Sequence, residues 1–364
     1  MSDIVNNEKE DIDLYSDVEE MPQEGEIYPV KEVKIEKKSF SVFELNRKIE
    51  KGDIIVSPDF QRELRWNDAQ QSELIESILM GIPIPIIYAY QATKGHLQIV
   101  DGKQRLTTLN KFLSNGSELK GLKILNELNG SCFEKLSGQY KTQLEDYQID
   151  IYVIMSPTPE KIKYDIFDRV NRGGTKINNQ EMRNALYNGV ATSVINEMCN
   201  FENFKNATSN PDSKAMKDRY LALRFLSFYL LRTKKIDVDF VVPMDDFLAK
   251  VMKEINKKFK IGDFKKFLAD FEMIMNEIYT KYKDNLFRFN PKQESKNKRK
   301  ISMALFESLT YAFIVALENS KEFPTKENIE KFKNELDKPE RITYGIDSKE
   351  NIDFRFNKAM ELII

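Results

Sequence analysis

The spacing of apolar residues changes once along the chain, and this change limits the fold more than any other feature. Before about residue 155, several short runs alternate apolar and polar positions, as strands half-buried on a sheet do. After about residue 200 no such run remains and helical spacing takes over. Lys214 to Arg232 (KAMKDRYLALRFLSFYLLR) is apolar on most sides, which predicts a central buried helix. Phe264, Phe267, Leu268, Phe271, Ile274, Met275, Ile278 and Tyr282 follow the three-four spacing of a second helix. A basic run (Lys292, Lys296, Lys298, Arg299, Lys300) precedes a further helix over 301–317. The expected fold class is α+β: a small domain with a sheet at 33–195, then an all-α helical domain at 196–364.

The first 32 residues stand apart. Residues 1–30 carry ten acidic side chains and one lysine, so the net charge of -2 conceals an acidic segment on a basic body. Few apolar positions lie there, and the expectation for 1–32 is a disordered tail. Such a tail either solubilises the chain or competes with nucleic acid for the basic surface. The opening MSDIVNNEKEDID has no basic start and no apolar core, so no secretory signal is expected. No apolar run approaches the roughly 20 residues of a membrane helix. Cys132 and Cys199 lack the spacing of a zinc site or a disulfide framework, and two buried thiols in a reducing cytoplasm are expected.

Within 33–195 the local signals are specific. Val33-Lys34-Ile35 alternates as a strand does, and Ser41 with Glu44 has the pattern of a helix start, which Gly52 then stops. Asp53 to Val56 reads as a short strand, and Asn67 with Gln70 caps the next helix, whose Leu74, Ile75, Ile78 and Leu79 share a face. Gly81 and Pro83 end that helix. Ile86 to Tyr90 and Leu97 to Val100 form a hairpin around Lys94-Gly95. A helix runs from about Gln104 to Leu113, and Tyr147 to Met155 is a strand. Thr158 and Pro159 start a helix that ends at Gly173-Gly174; Asn178 with Glu181 caps the next, which Gly189 closes.

The strongest chemical signal is a strand, then Asp101-Gly102-Lys103-Gln104-Arg105, then a helix. Glycine permits a sharp turn, and the turn presents backbone N–H groups at a helix start, where anions bind. Arg105 has the fork that suits phosphate, Lys103 adds a point charge, and Asp101 can hold a magnesium ion or a water. A capped turn bearing surface charges has the same local pattern. Gln61-Arg62, in the loop after a strand, is a second candidate, with the only tryptophan, Trp66, close behind as a packing anchor. A third is Phe167 to Gly174 followed by Glu181 and Arg183, which also reads as an ordinary helix corner. The only histidine, His96, sits in the hairpin turn and lacks the partners that a histidine-dependent nuclease needs. No GxxxxGK[ST], HExxH or GxSxG motif occurs. Metal-dependent hydrolysis by carboxylates such as Asp59, Asp101 or Glu181 stays open.

Taken together, these segments resemble the GmrSD restriction endonuclease N-terminal domain family, also known as domain of unknown function 262. The resemblance rests on Pro58 to Asn67 with Phe60-Gln61-Arg62, Leu74 to Ile78 with Gly81-Ile82-Pro83-Ile84-Pro85, Ile99 to Leu109, and Phe167 to Gly174 with Glu181, Met182 and Arg183. It spans about residues 38–190. The family is similar to the ParB and sulfiredoxin nucleotide-binding folds. Its usual Asp-Gly-Gln-Gln-Arg motif has Lys103 in place of the first glutamine here, and the reactive cysteine of sulfiredoxin is absent from the matching run. The resemblance implies a nucleotide site made by Asp101, Gly102, Lys103, Gln104, Arg105 and Thr107, with Gln61 and Arg62 beside it and Asn171, Glu181 and Arg183 lining the same pocket. It implies catalytic roles for Asp101, Gln104 and Arg105, with NTP and Mg2+ as cofactors and Asp101 at the metal.

The resemblance further implies an NTP-binding, NTP-hydrolysing sensor or regulator in DNA restriction or anti-phage defence. Many members carry a histidine-dependent nuclease domain, whereas no histidine follows residue 96 here. DNA and a separate nuclease subunit are therefore the expected partners, with no membrane. Two alternatives remain at this point: a ParB-like, nucleotide-switched DNA-binding module with little turnover, and a standalone metal-dependent DNA nuclease.

Overall fold

A computed structural model of the chain describes residues 12–13, 33–56, 66–91, 95–158, 162–163, 166, 169, 178–213, 215–240, 243–291, 298–342 and 345–363. The chain forms two compact units, residues 25–178 and residues 179–364 joined by 1–24. The first strand, β1 (Ile12–Asp13), lies within the segment 1–32 expected to be a disordered tail, the rest of which is outside the described residues. Its backbone pairs in parallel with Ile301–Ser302 of the second unit. Pairing of this kind uses backbone N–H and C=O groups that every residue carries, so apolar patterning does not announce it.

Unit 25–178 is built on a mixed five-stranded sheet. Its strands are β2 (Lys34–Ser41), β3 (Ile54–Ile55), β4 (Ile87–Gln91), β5 (Leu97–Asp101) and β6 (Gln148–Met155), in the order β2-β6-β4-β5-β3. The pairs β2/β6 and β4/β5 are antiparallel, while β4/β6 and β3/β5 are parallel. One face of the sheet presents Ile87, Ala89, Leu97, Ile99, Ile149, Ile151 and Val153 to a single apolar core. The edge strand β2 carries Lys34, Lys37 and Lys38, which discourage pairing with another chain.

Four helices supply the rest of that core: α1 (Val42–Glu50), α2 (Asp68–Leu79), α3 (Lys103–Leu113) and α4 (Gly138–Asp146). Their buried positions include Leu45, Ile75, Ile78, Leu106, Leu109, Phe112 and Leu144. The starts of α1 and α2 are set by the residues the sequence singles out. Ser41 Oγ accepts from Glu44 N at 3.1 Å. Asn67 and Gln70 satisfy one another's backbone N–H groups at 2.9 and 3.1 Å. Helix α4 is not among the elements predicted above. Trp66 is half-buried against the core, as its packing role requires. The predicted helix after Thr158 falls largely outside the described residues, as do Gln61, Arg62, Asn171, Gly173 and Gly174.

The second unit is helical, and the structure is of the α+β class. The division between units falls before Asn179, upstream of the 195/196 boundary expected from sequence. The helices Asn179–Leu186 and Val190–Asn200 belong to the second unit, where Ala191, Val194, Ile195 and Met198 are fully buried. The sequence marks where strand signals stop, and packing decides where a domain starts. Helix Lys217–Arg232 is the predicted buried centre, with Leu221 to Leu230 all buried. Phe225 stacks with Phe267 and Phe271, and Phe306 meets it edge-on, with centroids between 5.6 and 6.2 Å. Cys199 is buried and Cys132 only half-buried; neither is in a disulfide.

Candidate functional site

The strand–turn–helix segment has the geometry that its sequence implies. Strand β5 ends at Asp101, and α3 begins at Lys103. Between them Gly102 adopts φ +95°, in the left-handed region. A methyl group at Gly102 would lie 2.7 Å from Ile87 Cγ1, so both conformation and space demand glycine. No side chain caps α3. The electropositive end of the helix thus opens where the strand stops, an arrangement suited to an anion.

Arg105 is held by groups of the protein. Its side chain is 9% exposed, and its guanidinium donates to the Pro85 and Ile86 carbonyls and to Asp101 Oδ2, the last at 2.6 Å. Burial pushes its pKa down, and Asp101 opposes that effect by charge and hydrogen bond. In this arrangement the fork expected to clasp phosphate braces the protein instead. Lys103, Gln104 and Thr107 lie half-exposed on the first turns of α3. Gln104 Oε1 is buried and meets no donor among the described residues, and Thr108 Oγ1 is in the same state one turn on. Buried acceptors of this kind are usually satisfied by a bound molecule or a water.

Glu181 and Arg183 sit on the helix Asn179–Leu186, in the second unit. Arg183 is 1% exposed; it pairs with Asp245, and its Nε and Nη2 donate to Gln180 Oε1 at 3.1 and 2.9 Å. His96 Nδ1 faces the Gly52 carbonyl at 3.0 Å, next to the backbone bond from Leu97 N to Asp53 O, and so fastens the β3/β5 edge. Among the described residues no three histidine, cysteine or carboxylate side chains converge on a point. Asp101 is the carboxylate at the turn, and Arg105 already occupies one of its oxygens. The described residues therefore form no protein cage for a metal. A magnesium ion there would depend on phosphate oxygens and waters for its remaining ligands.

Two contributions were not foreseen from the motif. Tyr147 Oη donates to the Ile82 carbonyl at 2.8 Å and accepts from Ile84 N at 3.1 Å. Glu76 Oε1 accepts from both Ile124 N and Leu125 N, at 2.9 and 2.8 Å. Each contact joins segments about 50 or more residues apart in sequence, so only the fold brings them together.

Residues 42–188 match the family model of the GmrSD restriction endonuclease, N-terminal domain. That stretch of the chain belongs to this domain family. The GmrSD-type stretch includes α1 to α4, β3 to β6 and the helix that carries Glu181 and Arg183. It therefore runs past the boundary between the two compact units. Residues 189–364 lie outside the match. No curated protein and no solved structure matches the chain. Among the described residues no helix is long and apolar enough to cross a membrane.

Proposed function

We propose that this chain is a nucleotide-binding, NTP-hydrolysing sensor or regulatory component of a DNA restriction or anti-phage defence system. The observation that carries the reading is the uncapped start of α3 behind a glycine that must be glycine, within a GmrSD-type domain. The backbone at the start of α3 and Lys103 would hold the phosphates. Gln104, whose buried oxygen meets no donor among the described residues, would receive one from the nucleotide or from the attacking water. Asp101 would be the protein's contact to Mg2+ brought in with the NTP. Gln61, Arg62, Thr107 and Asn171 are further candidates for the site. DNA is the proposed macromolecular partner and a separate nuclease subunit the proposed effector, both in the cytoplasm.

The test is equilibrium binding and hydrolysis of ATP, GTP, CTP and UTP with magnesium, on wild type and Lys103→Glu. Wild type is expected to bind at least one NTP, and Lys103→Glu to bind it about tenfold or more weakly because a charge is reversed beside phosphate. A wild type that binds none of the four overturns the proposal. Binding without turnover would instead select the nucleotide-switched module.

A further inference from the structure

The segment Gly81-Ile82-Pro83-Ile84-Pro85-Ile86, between α2 and β4, is an apolar strap. Its two prolines lack N–H groups and hold the residues before them extended. Ile84 packs on the core, while Ile82 and Ile86 are 44% and 37% exposed. Exposed isoleucines on a stiff segment need a reason, since burying apolar surface is favourable.

Two polar side chains hold the strap from opposite ends. Tyr147 bonds the Ile82 carbonyl and the Ile84 N–H. Arg105 bonds the Pro85 and Ile86 carbonyls and ties them to Asp101. The next residue, Ile87, fills the space that a side chain at Gly102 would need. The strap therefore runs directly into the turn where α3 opens. A site with an anion-binding helix start and an apolar wall alongside suits a ligand that is phosphate at one end and a flat, weakly polar ring at the other.

We infer that the strap is the base-side wall of the proposed nucleotide site, and that Arg105 and Tyr147 are positioning residues that fix it. This rests on the nucleotide reading above. Arg105 then acts through Pro85 and Ile86 and not as a phosphate ligand, leaving the phosphates to the α3 backbone and Lys103.

Tripolyphosphate and the tightest-binding NTP separate the two parts of the site. Affinities for both are measured on wild type, Arg105→Ala, Tyr147→Phe, the double variant and Ile86→Ser. Circular dichroism and thermal unfolding check that each variant is folded. Tyr147→Phe keeps the ring and removes only the strap bonds, so it stays informative if Arg105→Ala unfolds. The expected result is an NTP affinity about tenfold lower in each single variant, as losing one or two hydrogen bonds or an apolar contact would give, with tripolyphosphate affinity unchanged. The double variant should lose less than the product of the single losses, because both residues hold one strap. Equal losses for NTP and tripolyphosphate in Arg105→Ala would make Arg105 a phosphate ligand and overturn the inference. Unchanged NTP affinity in Tyr147→Phe and Ile86→Ser would also overturn it while leaving the nucleotide reading intact. A wild type that binds neither ligand removes both.

Discussion

Arg224 and Asp347 meet as a two-pronged pair, with Nη1 2.8 Å from Oδ2 and Nη2 2.6 Å from Oδ1. The same arginine donates through Nε to Glu307 Oε2 at 3.0 Å, and Arg355 closes the set by pairing with Glu307. Arg224, Glu307 and Arg355 are almost wholly buried. Burial pushes the Arg224 guanidinium down, but Asp347 and Glu307 outweigh it and raise its pKa. Removing one member leaves a buried charge without its counterpart. Arg224→Met should therefore destabilise the fold by about 3–5 kcal/mol. Urea denaturation measures this, and a loss under about 1 kcal/mol would show that the network is not holding the helical unit together.

The same cluster makes stability depend on acid. Burial pushes the Asp347 carboxyl up, but Arg224 and Arg355 more than offset this and hold it at about 2, against an ordinary value of 3.8. A carboxyl depressed in the folded state contributes stability above its unfolded pKa and loses it as pH falls through the folded one. The contribution, about 2 kcal/mol, should therefore be complete above about pH 4 and fade towards pH 2. Stability measured across that range should fall less steeply in Asp347→Asn than in wild type. Parallel pH profiles would assign the acid sensitivity to other groups.

Gly102→Ala should cost about 1–3 kcal/mol from the left-handed backbone alone, with the overlap on Ile87 added to it. Shortening the neighbour separates the two costs. Gly102→Ala with Ile87→Ala should recover the overlap and keep the backbone strain, at the expense of a cavity. Denaturation midpoints of the four proteins in this cycle give the coupling. Strict additivity would mean that the two residues do not press on one another.

Glu76 lies on the buried side of α2 at 6% exposure and serves two backbone donors at once. Glu76→Ala leaves the Ile124 and Leu125 N–H groups without their acceptor and should cost about 2–4 kcal/mol. Hydrogen exchange should quicken first at residues 120–125, before global unfolding. Unchanged protection of those amides would show that water replaces the carboxylate without loss.

The sequence by itself determined the α+β class, the caps at Ser41 and Asn67, the buried helix around Phe225 and the glycine turn at Gly102. These follow from local rules of period, capping and backbone freedom, which act within a few residues. The family resemblance was legible for the same reason, since it rests on short motifs in order. Tertiary structure alone decided what the charged side chains do. Arg105 reads as a phosphate ligand because a guanidinium fork suits phosphate, and the resemblance places Arg183 in the lining of the same pocket. In the fold each is buried, Arg105 on the Pro85 and Ile86 carbonyls with Asp101, and Arg183 on Asp245 and Gln180. The pairing of Ile12–Asp13 with Ile301–Ser302 and the start of the helical unit at Asn179 were equally hidden. A side chain's residue type fixes what it can bond, but Pro85 and Ile86 lie 20 and 19 residues from Arg105 and Asp245 lies 62 from Arg183, and only folding brings them into bonding distance.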